Sequence, residues 1–327
     1  MKTALTEMLK IKYPIIMAPM FLVTNDQMMI EASKAGITGC IPALNYRDLK
    51  LLRTGLENIK QNSVGPFGVN LIVNQSNPYF KEQLKICLEV GVNYFITSLG
   101  NPDVVIKDAH KNGAKVFCDV TDGIYAKKVQ DLGADAVIAV NSGAGGHLGK
   151  IPATILVPML KKDLSIPVIS AGGVSTGNGL LATFALGADG LSIGSPFIAC
   201  QESQINNEYK KAVIQYGAGD IVTTTKLSGS NCTVINSPYV KKIGTEQNFL
   251  ERILNKNRTL KKYAKMLTFY KGMKLLEKSA FSATYKSVWC AGSSIEFVKK
   301  EETINQIVVQ LIQDYENAYK KLEQFHG

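Results

Sequence analysis

The stretch that decides the fold is PVISAGGVSTGNGLLATFALGADGLSIGSPF, residues 167–197. It contains two short apolar runs, PVISAG and GLSIGS, and each run passes directly into a loop of small residues. Between them lies a segment of helical length that ends at the glycine before Ala188, and glycine is the residue that most often closes a helix in the left-handed conformation. The stretch therefore predicts a strand, a helix and a second strand, which together form the unit of a parallel sheet.

The same unit recurs from residue 14 to about residue 200, and it can be counted eight times. The apolar runs, all rich in β-branched residues, are residues 15–19, 38–42, 67–71, 94–99, 115–120, 135–140, 167–172 and 190–195. Eight parallel units predict closure into an α/β (β/α)₈ TIM barrel. An open doubly wound sheet would need a glycine-rich dinucleotide turn after its first strand, and MAPMFLVTN (residues 17–25) contains none.

The length and composition fit one barrel with an appendage. A chain of 327 residues with 46% hydrophobic residues can bury one large core. The strand-helix rhythm ends near residue 200, so we predict the barrel at residues 1–204 and a smaller, mainly helical cap at residues 205–286. Residues 287–327 are expected to return to the barrel, with a long helix at residues 301–325.

The net charge of +10 is concentrated in residues 241–278, where eleven Lys or Arg residues face three Glu residues. Two interpretations stay open: a solvated helical face, or a dock for an anionic cofactor or an acidic carrier protein. Nucleic-acid binding is not favoured, because no recognised nucleic-acid module surrounds this stretch.

The cysteines and the hydropathy pattern restrict the class of protein further. The six cysteines form no CxxC pair, so neither a zinc site nor a disulfide framework is predicted. No apolar run reaches the roughly 20 residues of a membrane span, and Glu7 stands where a signal peptide would be apolar. We therefore expect a cytoplasmic protein that acts on a small molecule without binding a membrane or a metal ion.

A histidine follows the sixth predicted strand, in the loop NSGAGGHLG (residues 141–149), called the histidine loop below. Active sites of such barrels lie on the loops after the strands. Glycines allow close approach of the backbone to a flat ligand, and histidine can move a proton near neutral pH. His147 is therefore the candidate catalytic residue, with Gly145 beside the ligand; the alternative is a simple turn in which His147 packs locally.

Two loops of small residues, residues 171–176 and 193–197, follow the last two predicted strands and open helices. Such loops present backbone N–H groups toward one point, which is where barrels commonly hold a phosphate group. These small-residue loops predict a phosphate-bearing cofactor and supply the candidate binding residues Gly172, Gly173, Gly194 and Ser195.

The exits of the first and third strands offer groups for a planar ring. The first strand leaves through Ala18, Pro19 and Met20, and the third contains Asn70. The Met20 backbone N–H and the Asn70 amide are expected to hydrogen-bond a heteroatom-rich ring, although Asn70 could equally pin its own loop.

Two acids, Asp119 and Asp122, lie at the exit of the fifth strand. They are either candidate acids of the site or caps of the next helix. Hydrolytic chemistry finds little support, because the chain has no GxSxG elbow and no metal-binding histidine pair.

Taken together, five motifs resemble the FMN-dependent nitronate monooxygenase family, formerly called 2-nitropropane dioxygenases. They are PIIMAPM (14–20), PFGVNL (66–71), AGGHLG (144–149), PVISAGGV (167–174) and GADGLSIGSPF (187–197), with weaker continuations in SGSNCTV (228–234) and VWCAG (288–292). The resemblance implies a TIM barrel with a helical cap, bound FMN, and oxidation of alkyl nitronates of the propionate 3-nitronate type with O₂.

The resemblance also implies roles for individual residues. His147 would be the catalytic residue, able to take the proton α to the nitro group when a neutral nitroalkane is offered. The remaining implied contacts are Ala18, Pro19 and Met20 beside the isoalloxazine ring, Asn70 touching it, and Gly145, Gly172, Gly173, Gly194 and Ser195 along the ribityl phosphate or the ring edge.

Several positions depart from the family pattern. Many members carry an acid where this chain has Gly143, and Gln-Gly where it has Val140-Asn141. Asp119, which we place among the cofactor-binding residues, lies where relatives often carry a residue better suited to an electron-rich flavin.

These departures leave other functions open. One is an NAD(P)H-dependent flavin reductase acting on a quinone or on an enoyl group of an acyl carrier protein, since flavin-dependent enoyl reductases are similar through AGGHLGK (144–150). A non-catalytic flavin-binding or phosphosugar-binding barrel and a barrel enzyme acting on inosine-type nucleotides are further alternatives. A homodimer is compatible with each of these functions.

Overall fold

Eight parallel strands, hydrogen-bonded in the order in which they occur along the chain, close into a barrel. The structure is a computed structural model, and it describes residues 1–46, 48–74, 77–227, 230–246, 274, 275, 277, 280 and 288–324. The barrel strands are β1 (Ile15–Met17), β2 (Thr38–Pro42), β3 (Phe67–Ile72), β4 (Tyr94–Ser98), β5 (Lys115–Val120), β6 (Ala136–Val140), β8 (Val168–Ala171) and β9 (Gly190–Ile193). The predicted (β/α)₈ barrel is confirmed.

The predicted strands at residues 15–19 and 190–195 were each two residues too long. Pro19 has no N–H group for a strand ladder, and Gly194 already has a helical backbone as the residue before a short helix. Both positions therefore belong to loops at the barrel mouth.

Helices follow the barrel strands and cover their outer face. The helices are α1 (Ala4–Leu9), α2 (Asp26–Lys34), α3 (Leu49–Asn62), α4 (Phe80–Val90), α5 (Asp103–Lys111), α6 (Gly123–Asp131), α7 (Ala153–Asp163), α8 (Gly177–Ala185), α9 (Ser195–Ile198), α10 (Asn207–Gln215), α11 (Pro238–Ile243) and α12 (Ile304–Glu323). Gly187, the glycine predicted to end a helix, has positive φ, and so do Gly36, Gly91, Gly113 and Gly133 after other helices. The last helix, α12, confirms the predicted C-terminal helix and packs on α8.

Polar side chains fix the register of the barrel at the amino ends of its strands. Three residues, each directly before a strand, accept a hydrogen bond from a backbone N–H group of the neighbouring strand. The bonds run from Phe67 N to Asn93 Oδ1 (3.1 Å), from Val116 N to Asp135 Oδ2 (2.9 Å) and from Val168 N to Asp189 Oδ2 (2.8 Å). This end is therefore structural, and the opposite mouth is left for function.

A helix that the sequence analysis did not identify, α1, closes the amino-terminal end of the barrel. Leu5 and Leu9 are buried in the same cluster as Tyr94 and Phe117, whose rings stack with their centroids 5.2 Å apart. Gly190 leaves room for this contact, because a Cβ atom there would lie 2.3 Å from Leu5 Cδ2. In the part of the chain that the structure describes, α1 fills the amino-terminal end of the barrel, and the carboxyl-terminal mouth is the end open to a ligand.

The described part of the predicted cap contains a small sheet that the sequence analysis missed. Strands β10 (Ile221–Thr224) and β11 (Cys232–Ile235) form an antiparallel hairpin, and β11 also pairs with β7 (Gly146–His147) from the histidine loop. Most of residues 241–278 lie outside the described residues, so the division at residues 204 and 286 stays a prediction. None of the described helices is long and apolar enough to cross a membrane.

Candidate functional site

A cavity of about 790 Å³ occupies the barrel mouth beneath the described part of the cap. It is lined by loops that follow the barrel strands and by β11. Every residue singled out from the sequence as a site residue lines it: Ala18, Pro19, Met20, Asn70, Asp119, Gly145, His147, Gly172, Gly173, Gly194 and Ser195. The structure thus brings these residues together, while their individual roles stay predictions.

One end of the cavity is a cluster of backbone N–H groups on the small-residue loops. Within the described residues, the N–H groups of Gly173, Val174, Gly194 and Ser195 donate to no protein acceptor. Several such donors on two neighbouring strand exits match the oxygens of a phosphate group. This end of the cavity therefore fits the phosphate of FMN.

The histidine loop and the small-residue loop after β8 are joined by the buried side chain of Asn141. Its Oδ1 accepts a hydrogen bond from Gly143 N (2.7 Å), and its Nδ2 donates to Gly172 O (3.1 Å). The sequence analysis noted Asn141 only as a departure from the family pattern. In the structure it links the histidine loop to the exit of β8.

Ser195 connects the same region to the segment that returns from the cap. Its Oγ accepts a hydrogen bond from Gly292 N (3.1 Å). The hydroxyl proton of Ser195 consequently remains the group that it can donate to a ligand.

His147 lies where the barrel meets the cap sheet, because β7 places it directly opposite Cys232 of β11. The Thr233 hydroxyl also donates to Ala144 O (2.8 Å), so the hairpin fixes the loop that carries the histidine. The imidazole is exposed to the space of the cavity, with the barrel mouth and the cap sheet around it. Desolvation by the surrounding protein lowers the pKa of His147 below its ordinary value of 6.5, so the neutral, proton-accepting form dominates near pH 7.

Polar side chains line the cavity on the far side from the small-residue loops. Asn70 Nδ2 donates to Ile96 O (3.0 Å) and to Ser98 Oγ (2.8 Å). Both amide protons are therefore used, and Asn70 Oδ1 is the atom left to accept a hydrogen bond from a ligand. Asn70 does pin protein backbone, as the alternative had it, but the backbone is that of the neighbouring strand β4.

The two acids after β5 have different surroundings. Asp122 Oδ1 accepts from Tyr125 N (2.9 Å) and so caps α6, as one of the two predictions stated. For Asp119 the capping prediction was wrong, because its Oδ2 instead accepts a hydrogen bond of 2.5 Å from Ser98 Oγ inside the cavity. Burial raises the pKa of Asp119 to about 6, against the opposing effect of the Ser98 hydrogen bond.

The expected use of the Met20 backbone is also wrong. Its N–H donates to Thr24 Oγ1 (3.0 Å) within its own loop, so it is not available to a planar ring. The Met20 side chain instead lies beside Gly194, where an added Cβ would be 3.5 Å from Met20 Cγ. Met20 can therefore contribute an apolar surface but not a backbone donor.

The family model described as nitronate monooxygenase matches residues 2–314. A curated relative from Staphylococcus haemolyticus, named a probable nitronate monooxygenase, is 29% identical over 283 residues, which span 72% of this chain and 79% of the relative.

A second curated relative and a solved structure are also similar to this chain. A relative from Rhodococcus jostii, named (3aS,4S,5R,7aS)-5-hydroxy-7a-methyl-1-oxo-octahydro-1H-indene-4-carboxyl-CoA dehydrogenase, is 30% identical over 245 residues, covering 74% of this chain and 68% of that protein. The structure of FabK from Thermotoga maritima superposes with a TM-score of 0.87 at 27% identity, covering 99% of both chains.

Proposed function

Because the chain belongs to the nitronate monooxygenase family, whose members are flavin-dependent oxidoreductases, we propose that it binds FMN and oxidises alkyl nitronates of the propionate 3-nitronate type with O₂. The observation on which the proposal rests is the position of His147, whose imidazole opens onto the cavity. The opposite wall of this cavity has backbone N–H groups that donate to no acceptor among the described residues. FMN supplies the chemistry that side chains lack, since it takes electrons from a substrate and passes them to oxygen.

The residues of the chain bind, orient and move a proton. Gly173, Val174 and Gly194 would donate backbone hydrogen bonds to the phosphate of FMN, and Asn70 Oδ1 would accept one from its ring. A ring nitrogen of neutral His147 takes the proton from the carbon α to the nitro group when a neutral nitroalkane is the substrate. The β10–β11 hairpin pairs with the histidine loop, and Cys232 of β11 lines this side of the cavity.

The proposal is tested by mixing the FMN-loaded protein anaerobically with propionate 3-nitronate and, separately, with NADPH. We expect the nitronate to bleach the flavin absorbance and O₂ to restore it. Bleaching by NADPH alone, with no response to the nitronate, would overturn the proposal.

A second candidate is an NAD(P)H-dependent flavin reductase that acts on an enoyl thioester. It is favoured by the close superposition on FabK over nearly the whole chain and by a relative that is named for a CoA thioester substrate. Consumption of NADPH that depends on crotonyl-CoA, in the absence of any nitronate, would support this candidate over the first.

A further inference from the structure

Three polar side chains form a row across neighbouring strands at the cavity wall. They are Asn70 on β3, Ser98 on β4 and Asp119 on β5, and all three line the cavity. These strands lie across the barrel from β8 and β9, which carry the small-residue loops. A ligand whose phosphate is bound by those loops and whose ring extends across the mouth therefore meets this row with its far end.

The direction of each hydrogen bond in the row is fixed. A carbonyl oxygen can only accept, so Ile96 O determines that Asn70 presents its Nδ2 to this side, and Nδ2 also donates to Ser98 Oγ. The Ser98 hydroxyl must then donate its own proton to Asp119 Oδ2. Both hydrogen bonds between the three side chains therefore run toward Asp119, and Asp119 Oδ1 has no partner among the described residues.

No cation pairs with Asp119 among the described residues, although Lys128 on α6 and Asp122 before it line the same cavity. The titratable groups near it are Cys40 on β2, Cys118 on its own strand and Tyr125 on α6. Burial raises the pKa of each of these groups, so all three are neutral at physiological pH. No Lys or Arg in the described residues forms an ion pair with Asp119, and the carboxylate is stabilised by a single hydroxyl.

A carboxylate in this position responds strongly to any further negative charge in the cavity. Like charges in a poorly solvated site raise the pKa of a carboxyl group. Burial by the protein alone already raises the pKa of Asp119 to about 6. An added negative charge on the far end of the ligand would move this pKa upward through the neutral range.

We propose that Asp119 is a proton-exchanging residue of the cofactor site, which binds a proton when flavin in this cavity is reduced and releases it when the flavin is reoxidised. On reduction the ring gains two electrons and one proton and becomes an anion. One further proton from solvent then forms the O–H bond of Asp119. On reoxidation the two electrons and the ring proton pass to O₂, a second proton from solvent completes H₂O₂, and the Asp119 proton returns to solvent. The inference rests on FMN binding in this cavity and not on the identity of the substrate.

The test measures the midpoint potential of the FMN-loaded protein from about pH 5 to about pH 9, with photochemical reduction so that no substrate is needed. One extra proton per two electrons changes the reduction equilibrium tenfold more per pH unit, which is about 30 mV. We expect this additional slope above about pH 6 in the native protein and its loss in Asp119→Asn. The matched control Asp122→Asn, which removes a carboxylate that caps α6, should keep the native slope.

Ser98→Ala provides a second variant. It removes the donor that stabilises charged Asp119, so the pH at which the additional slope begins should move upward. Infrared difference spectra should show a protonated carboxyl band on reduction of the native protein, and this band should be absent from Asp119→Asn.

Equal slopes in native protein and Asp119→Asn, both with FMN bound, would overturn the inference. If Asp119→Asn does not retain FMN, an unmoved onset in Ser98→Ala together with no carboxyl band in the native protein would overturn it. Proton uptake without oxidation of nitronates would contradict only the proposed function, because the reduction here is photochemical.

Discussion

Replacing either of two adjacent glycines by alanine should have clearly different consequences. Gly172 and Gly173 both have positive φ, +115° and +80°. At Gly172 a Cβ atom would lie 2.4 Å from Ala144 N and 2.8 Å from Asn141 Oδ1, whereas at Gly173 it would meet only Gly143 Cα, at 3.8 Å. Gly172→Ala therefore pushes against the backbone of the histidine loop, and Gly173→Ala is its matched control.

The loss of unfolding free energy has two causes, the positive φ of the residue and the overpacking by its Cβ atom. A positive φ costs an alanine about 1–2 kcal/mol, and for Gly173→Ala this is the whole loss of unfolding free energy. Gly172→Ala adds the cost of overpacking, about 1–3 kcal/mol, because the opposing atoms include backbone that cannot rotate away. We expect total losses of about 1–2 kcal/mol for Gly173→Ala and about 2–5 kcal/mol for Gly172→Ala.

Urea unfolding of the cofactor-free variants measures the free energies, and quenching of FMN fluorescence measures the binding. A shift of the histidine loop disturbs the site, so FMN affinity should fall at least about tenfold in Gly172→Ala, equivalent to about 1.4 kcal/mol. Equal stability and equal FMN affinity in the two variants would refute the close backbone packing described here.

Three further predictions concern side chains of the site. His147→Ala should slow turnover of a neutral nitroalkane about 10²–10⁴-fold and slow turnover of a preformed nitronate less. In the native protein a kinetic pH profile should show the nitroalkane rate rising with pH through a pKa below 6.5. Asp119→Asn should stabilise the protein at about pH 8, because folding raises the pKa of Asp119 from 3.8 to about 6 and so disfavours its charged form. The gain in unfolding free energy is at most about 3 kcal/mol. In urea titrations it should shrink as the pH falls below about 6 and vanish below 3.8. Asn141→Ala should lose about 1–3 kcal/mol of stability and weaken FMN binding in the same fluorescence assay. It removes the bond to Gly172 O, which joins the histidine loop to the exit of β8, and the bond from Gly143 N within that loop.

The barrel could be predicted because its signals are local. Each β-branched run and each glycine that ends a helix is visible within a few residues of sequence, and eight repeats leave few alternatives. The loops at the mouth follow from the same pattern, since every strand exit must face the same end. The gathering of all predicted site residues in one cavity is a direct consequence.

What could not be predicted depends on contacts between distant segments. The β7–β11 pair joins residues more than 80 positions apart, and two residues of the histidine loop carry no strand signal on their own. The raised pKa of Asp119 requires knowing which strands enclose it. The Met20 N–H was misassigned because Thr24, four residues later, folds back to accept its hydrogen bond.

A crystal structure of the protein with bound FMN tests the central claim most directly. The account predicts phosphate oxygens within hydrogen-bond distance of the backbone N–H groups of Gly173 and Gly194, with the ring between Asn70 and His147. FMN bound outside this cavity, or with its phosphate held by residues 241–278 instead, would contradict it.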